Sequence, residues 1–520
     1  MQIPTSFPYH LHAMLKPAFY PHATDTIRVI ETHISWVILT GVFVYKVKKH
    51  LKLDFLDFST LEQRKHYCQE ELRLNRQFAP DYYLDVVTIT QQNESIALQG
   101  HGQAIEYALK MKHFADNCLL NQLIRDDKFT SDQLDQLASS IANIHQNLPR
   151  ADKNSRFGDS KITLQAALDN FSTLEKLIIE PEDQANLNQL HNWTLDFVNT
   201  NKALFEERKE QGFIRECHGD LHLGNITVSG KQVIAFDCIE FNEAFRWIDV
   251  INDIAFLVMD LHFHQHPEFA RRLLNQYLEI TGDYSGLKLM KFYLVYRALV
   301  RCKVEAIQQQ QKSSSDNSRY QTYLKLAKSF SQEIMPKVII TYGLSGSGKT
   351  VLSQLVIENS DTIRIRSDVE RKRIFGLNAL EKSNQALKSQ MYSQAATHQT
   401  YQQLAHLTEE IITAGYNVII DATFLQKSAR DFFHQLANRI NCAFIILHTL
   451  APISCLKKWI AERQTSGKDA SEATIEILEQ QLAKQEPLDA EEKKHALEIH
   501  TDQAIDISQI IKKISFKSST

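Results

Sequence analysis

The eight residues Gly343-Leu344-Ser345-Gly346-Ser347-Gly348-Lys349-Thr350 constrain this chain more than any other stretch. They fit the pattern G-x-x-x-x-G-K-[ST], and so does their setting. The apolar run Lys337-Val338-Ile339-Ile340-Thr341 precedes them, and an amphipathic segment, Val351 to Ile357, follows. Glycines let backbone N–H groups turn inward around an anion, which the N-terminus of the next helix then faces. Gly343, Ser345, Gly346, Ser347 and Gly348 are therefore candidates for a phosphate cradle. Lys349 is placed to reach the β- and γ-phosphates of a nucleotide, and Thr350 to set its hydroxyl on Mg²⁺. Beyond Pro336 strands and helices alternate. Val418-Ile419-Ile420 and Phe444-Ile445-Ile446-Leu447 are unbroken apolar runs, as parallel strands covered on both faces require. The expected fold of this part is α/β with a parallel sheet.

Two apolar runs end in acids: Ile363 to Asp368, and Val418 to Asp421. In an open α/β sheet both acids project at the carboxyl edge, where ligands bind. One can serve a metal and the other can take a proton from a substrate hydroxyl. Either alone reads equally well as a helix cap. With Ser367-Asp368-x-x-Arg371, Ile419 to Phe424, Arg430 and Arg463, the glycine-rich loop resembles the small P-loop kinases around polynucleotide kinase, chloramphenicol phosphotransferase and zeta toxin. The resemblance spans roughly residues 336–490. It implies Asp368 as the base and Arg371 near the acceptor, with Arg430 and Arg463 by the phosphates and Arg463 in a lid. Asp421 and Thr350 are the candidates for Mg²⁺.

The first half reads differently. Ile27 to Ile30, Ser35 to Leu39 and Val42 to Val47 are strand-like, with a tight turn at Thr40-Gly41, and Leu61 to Phe78 is helical. A hairpin is expected over Val86–Thr90 and Ser95–Leu98. From Asp116 helix dominates, over 116–147, 163–178, 183–210 and 245–310 with a break near Thr281-Gly282-Asp283, interrupted by two short strands around 226–236. This is the α+β outline of a bilobal, protein-kinase-like domain. His218-Gly219-Asp220-Leu221-His222-Leu223-Gly224-Asn225 carries the spacing H-x-D-x-x-x-x-N, and Ile234-Ala235-Phe236-Asp237 ends a strand on an acid. The chemistry needs this set: Asp220 orients the acceptor hydroxyl and takes its proton, while Asn225 and Asp237 hold Mg²⁺. Lys46 and Glu71 are placed to form the pair that grips the phosphates. Lys48 shares the strand face of Lys46 and is its alternative; Glu70 is a lesser substitute for Glu71. His218 reads as a brace, His222 as a satisfied loop histidine, and Asp249 and Asp253 as caps or braces. The run H-G-D-L-H-x-G-N resembles the aminoglycoside phosphotransferase family, which includes choline, sugar and antibiotic kinases, and the likeness extends over residues 26–305. It departs from protein kinases in three ways. Glu31 to Ser35 replaces a G-x-G-x-x-G loop, Gly219 stands where they carry arginine, and no glycine follows Phe236-Asp237. The order of the two parts resembles bacterial proteins that fuse the two families.

Gln308 to Ser318 is polar and of low complexity, and a short helix, Tyr320 to Phe330, follows before Pro336. Two domains are expected, 1–331 and 332–520, because 520 residues exceed one ordinary core. Seven scattered cysteines without a C-x-x-C pair suit a reducing cytoplasm and argue against a disulfide framework. The longest apolar stretch, Trp36 to Tyr45, is too short to span a bilayer, and the start lacks a signal-peptide pattern. A net charge of -4 gives no general attraction for nucleic acid or anionic membrane. The leading expectation is a cytoplasmic, bifunctional kinase that uses ATP and Mg²⁺ to phosphorylate small-molecule hydroxyl acceptors. A regulatory protein in which one nucleotide site serves the other domain is the alternative, and a nucleic-acid end kinase is the weakest reading. The acceptor and the oligomeric state are not legible in the sequence.

Overall fold

The computed structural model describes residues 4, 6–24, 26–53, 56–230, 232–311, 316–466 and 470–516. The chain packs as two compact units, Met1–Ile179 with His191–Asp260, and Glu180–Leu190 with Leu261–Thr520.

In the first unit six antiparallel strands lie in the order Arg28–Glu31, Ser35–Leu39, Phe43–Lys48, Gln103–Lys112, Tyr83–Gln92, Ser95–Leu98. Alternate residues of these strands, among them Trp36, Ile38, Tyr45, Val47, Val87, Ile89 and Ala108, share one buried cluster. That is what a half-covered sheet requires. The strand Gln103–Lys112, which sequence reading leaves unassigned, is central: it pairs with both Phe43–Lys48 and Tyr83–Gln92. Its glutamine, glutamate and lysines dilute the apolar alternation, so only its two neighbours reveal it.

The helix Leu61–Phe78 starts at a capping box formed by Thr60 and Gln63. Arg64, Cys68, Glu71, Asn75 and Phe78 are buried along one stripe. This stripe is largely polar, so each charge in it needs a partner on the sheet side. Arg64 finds Glu106 at 2.9 Å, on the strand the sequence hides. The same unit holds the helices Ser131–Asn147 and Ser160–Leu177 and most of Val250–Phe263. In the hairpin Ile226–Ser229 with Gln232–Ala235, Ile226 pairs with Ala235, so the H-x-D-x-x-x-x-N motif and Asp237 meet at its open end.

The second unit is built on five parallel strands in the order Thr362–Arg366, Asn417–Asp421, Lys337–Tyr342, Ala443–Leu450, Ala496–His500. Ile339, Ile419 and Ile445 are fully buried at its centre against Leu352 and Val356 of the helix Lys349–Asn359. Three helices from before the glycine-rich strand pack in the same unit: Pro267–Thr281, Leu287–Gln311 and Ser318–Phe330. Gln308 to Gln311 continue the second of these, and residues 312–315 of the polar stretch lie outside the described residues. The last helix is anchored by the Tyr323 ring stacked 3.8 Å over Phe263 and by the Tyr320 hydroxyl on Glu180 and Asp183. Among the described residues no helix is long and apolar enough to cross a membrane.

Candidate active sites

The strand Phe43–Lys48 faces the helix Leu61–Phe78 with Lys46 and Lys48, two residues apart and so on one side. Glu71 divides its carboxylate between them, Oε1 accepting from Lys46 Nζ and Oε2 from Lys48 Nζ, each at 2.7 Å. Lys46 also reaches Asp237 Oδ1 at 2.5 Å, and Lys48 is paired with Glu240. The result is an alternating chain, Asp237–Lys46–Glu71–Lys48–Glu240. Lys46 and Lys48 are thus not interchangeable: Lys46 meets the motif acid, while the Lys48 side chain is wholly buried. Glu70 turns elsewhere and bonds Arg73.

Burial by itself drives both lysines toward neutrality, yet the surrounding acids win. Asp237, Glu71 and Glu240 raise Lys46 well above its ordinary value. Glu240 and then Glu71 likewise raise Lys48. Against its own burial, Glu71 is held down to about 2 by the two ammonium groups. The grip is charged at neutral pH.

The loop His218 to Asn225 is set by its own side chains and by one acid beneath it. Asp253 accepts from the backbone N–H groups of His218 at 3.0 Å and Gly219 at 2.9 Å, and His145 Nε2 lies 3.2 Å from it. His218 Nε2 lies 2.8 Å from the Phe236 carbonyl, and burial lowers its pKa, so it braces the loop as a neutral ring. Gly219 is at φ +82°, and a Cβ there would stand 2.6 Å from the Phe245 carbonyl oxygen. The replacement of arginine by glycine is therefore steric. Asn225 Nδ2 donates to Asp220 Oδ2 at 3.0 Å, bringing the two motif residues together. Asp220 and Asp237 keep 37% and 43% of their side chains exposed, enough to meet a ligand. Asp237 sits at φ +66° and its N–H donates to the Tyr83 hydroxyl at 3.0 Å. The next N–H, of Cys238, is held by Asn75 Oδ1 at 3.0 Å.

Tyr83, Asn75 and Glu240 are the supporting residues that sequence reading leaves unassigned, while Asp253, read as a cap or brace, braces the loop. The one sequence signal was Asn75, four residues beyond Glu71 and so on the same helix face. His222 both accepts from the Gly224 N–H and lies 3.5 Å from Asp220. Asp249 is a strut, paired with buried Arg208 at 2.5 Å.

In the second unit the loop Gly343 to Gly348 joins the central strand to the helix Lys349–Asn359, which has no side-chain cap. A helix N-terminus at such a loop favours an anion. Gly346 and Gly348 have φ +81° and +79°. A Cβ on Gly346 would be 2.9 Å from Ile460, so only glycine serves there. Lys349 folds back along the loop, donating to the Gly343 and Leu344 carbonyls at 3.1 and 2.7 Å. Ser347 Oγ lies 2.6 Å from Thr449 Oγ1, and the Ser345 N–H donates to the Gln481 amide oxygen at 2.8 Å.

Asp421 ends the strand next to this loop and accepts from Ser353 Oγ at 3.3 Å, one helical turn beyond Thr350. Hydroxyl and carboxylate are hard oxygen donors of the kind Mg²⁺ takes, as are Asn225 and Asp237 in the first unit. Asp368 lies in the first turn of the helix Ser367–Ile374. Around it are Arg371, whose guanidinium lies 5.0 Å over the Tyr392 ring, and the hydroxyls of Tyr392 and Tyr401. Burial, assisted by Asp368, pushes Tyr401 up to about 12. Arg371 donates to the Met391 carbonyl at 2.7 Å, and its buried Nε has no hydrogen-bond partner among the described residues. Arg463, on the helix Ile453–Ser466, is near enough to act on Tyr392 and donates to the Ala473 carbonyl at 3.4 Å. Residues 467–469, just past that helix, lie outside the described residues.

Arg430 departs from the expectation that it lies by the phosphates. Its side chain is 1% exposed and bonds Glu492 at 2.6 and 3.1 Å and the carbonyls of Phe424, Leu425, Glu486 and Pro487. These contacts occupy its donors and make it a strut between segments.

Residues 119–290 match the model of the phosphotransferase enzyme family, and residues 338–488 match that of an AAA domain. The chain is an ATP-dependent kinase. Its N-terminal region is kinase-like, and its C-terminal parallel sheet has the P-loop kinase form. A protein of Mycobacterium tuberculosis called uncharacterized is 27% identical over 445 residues, covering 86% of this chain and 88% of its own. The same figures hold for a counterpart in Mycobacterium bovis. Among solved structures, a choline/ethanolamine kinase family protein of Mesorhizobium loti aligns with TM-score 0.40 and 11% identity, over 61% of this chain and 93% of that one. An APS kinase of Mycobacterium tuberculosis aligns with TM-score 0.27 and 18% identity, over 35% of this chain and 98% of that one.

Proposed function

We propose that this kinase is bifunctional, each half transferring the γ-phosphoryl group of ATP to a hydroxyl of a small molecule. The observation that carries the reading is that each half has its own candidate base, its own lysine and its own metal-type oxygens. In the first half Asp220 and Asn225 meet, and Lys46 joins Glu71 to Asp237. In the second, Lys349 lines the glycine loop, Asp421 stands by the helix that follows it, and Asp368 lies at the same sheet edge.

In this reading Asp220 and Asp368 orient the acceptor hydroxyl and take its proton as the O–P bond forms. Lys46, fixed by Glu71, and Lys349 bind the nucleotide phosphates. Asn225 with Asp237, and Thr350 with Asp421, would hold Mg²⁺, which supplies charge neutralisation of the triphosphate. Arg371 and Arg463 remain the candidate cations of the second site, and Arg430 leaves that set. A basic surplus is lacking, so small metabolites are favoured over nucleic-acid ends as acceptors. The domains are best taken functionally as 1–331 and 332–520, following the two motif sets. The deciding experiment is a metabolite-pool screen for ATP consumption with the intact chain, Asp220→Asn and Asp368→Asn. Two acceptors, each lost with one variant, are expected; one acceptor lost with only one variant overturns bifunctionality.

A further inference from the structure

The helix Pro267–Thr281 lies within the stretch that matches the phosphotransferase family, yet it packs in the unit of the glycine-rich loop. Its contact there is specific. Asn275 and Glu279 are four residues apart and so on one helix face. Both address the strand Thr362–Arg366, which is the edge of the parallel sheet. Asn275 pairs with that strand as another strand would: its amide donates to the Thr362 carbonyl at 3.1 Å and accepts from the Arg364 N–H at 2.8 Å. Glu279, 9% exposed at its side chain, then takes the side chains of Arg364 at 3.4 Å and Arg366 at 3.3 Å, two residues apart on one strand face. Arg271 with Asp361 and Arg272 with Glu358, both at 2.7 Å, flank the contact.

This line of contacts ends in the candidate site. Arg366 is paired in register with Asp421 on the neighbouring strand, and its Nε lies 3.8 Å from Asp421 Oδ2. An arginine this close to a metal-type acid competes with the metal for its charge. Glu279 draws the guanidinium the other way, so the acid keeps its oxygens for a cation. We propose that Glu279 is a positioning residue of the P-loop site, acting through Arg366 on Asp421. The proposal rests on the reading of Asp421 as the metal acid. One kinase site is thereby completed by a residue from the region that matches the other family.

The test uses the full chain carrying Lys46→Met, so that the second site reports alone. Binding of a fluorescent ATP analogue is titrated with Mg²⁺, and thermal unfolding of each variant is followed in parallel. Glu279→Gln is expected to raise the half-saturating Mg²⁺ concentration about tenfold, the usual cost of losing a group that orients a metal ligand. Adding Arg366→Gln should return it to the level of Arg366→Gln alone, a reversal that a loosened fold does not give. If Glu279→Gln does not fold, Glu279→Asp, which keeps the charge but falls short of Arg366, replaces it with the same expectation. An unchanged Mg²⁺ requirement in the Glu279 variant, or a double variant as weak as the single one, overturns the proposal. Asp421→Asn separates the two ideas: if it leaves the Mg²⁺ requirement unchanged, the metal assignment itself falls.

Discussion

At the scale of single residues the chain Asp237–Lys46–Glu71–Lys48–Glu240 decides most. Lys48 is buried between two acids. Lys48→Met leaves Glu240 without its ammonium partner and Glu71 with Lys46 alone, and should cost about 3–5 kcal/mol in denaturant unfolding. Lys48→Met with Glu240→Leu removes a matched pair and should recover most of that loss. Lys46 differs because it also addresses exposed Asp237. Lys46→Met and Lys349→Ala should each abolish one nucleotide site and leave the other, so calorimetry on the intact protein finds two ATP sites and on either variant one. Asp220→Asn and Asp368→Asn should spare ATP binding and lower kcat in their own half by about a hundredfold or more. Equal turnover in wild type and variant would remove the acid from its role. Most of these residues were visible as motifs. Glu240, Tyr83 and Asn75 were not, because a residue that serves through another has no spacing rule of its own.

Elements show why parts of the fold escaped the sequence. The helix Leu61–Phe78 was found by its apolar residues, but it buries Arg64, Glu71 and Asn75, since the sheet offers them partners. Gln103–Lys112 was missed for the complementary reason: its Glu106 is one of those partners. The end of Val250–Phe263 supplies a pH test. His262 packs against the Phe330 ring. Burial first, and then Arg271, lower it to about 4, while Asp361 and Glu268 oppose the shift. A histidine depressed in the folded state binds its proton only in the unfolded chain between about pH 6.5 and 4. Its contribution is thus whole above pH 6.5 and lost as pH falls toward 4, on the order of 3 kcal/mol. His262→Phe should flatten the fall of Tm across that window relative to wild type. A parallel fall in both proteins would assign the pH dependence to other groups.

Over the whole molecule, the packing boundary at Asp260/Leu261 differs from the one that the polar stretch suggests at 331/332. A fragment 332–520 loses Asn275 and Glu279, exposing the edge strand Thr362–Arg366 and leaving Arg364 and Arg366 without that acid. It should melt below a fragment 261–520, or aggregate through the uncovered edge, as differential scanning calorimetry and light scattering would show. Equal melting of the two fragments would make the helices dispensable. The sequence by itself determined the two fold classes and the ATP-dependent kinase character. A cradle for a triphosphate admits few residue types at fixed spacing, so its pattern survives without knowledge of the fold. Tertiary structure alone decided that Arg430 is a strut, that Lys48 locks Glu71 from behind, and that the helix Pro267–Thr281 serves the sheet that follows it. Those outcomes depend on which distant segments meet, and a buried charge shows its purpose only when its partner is in place.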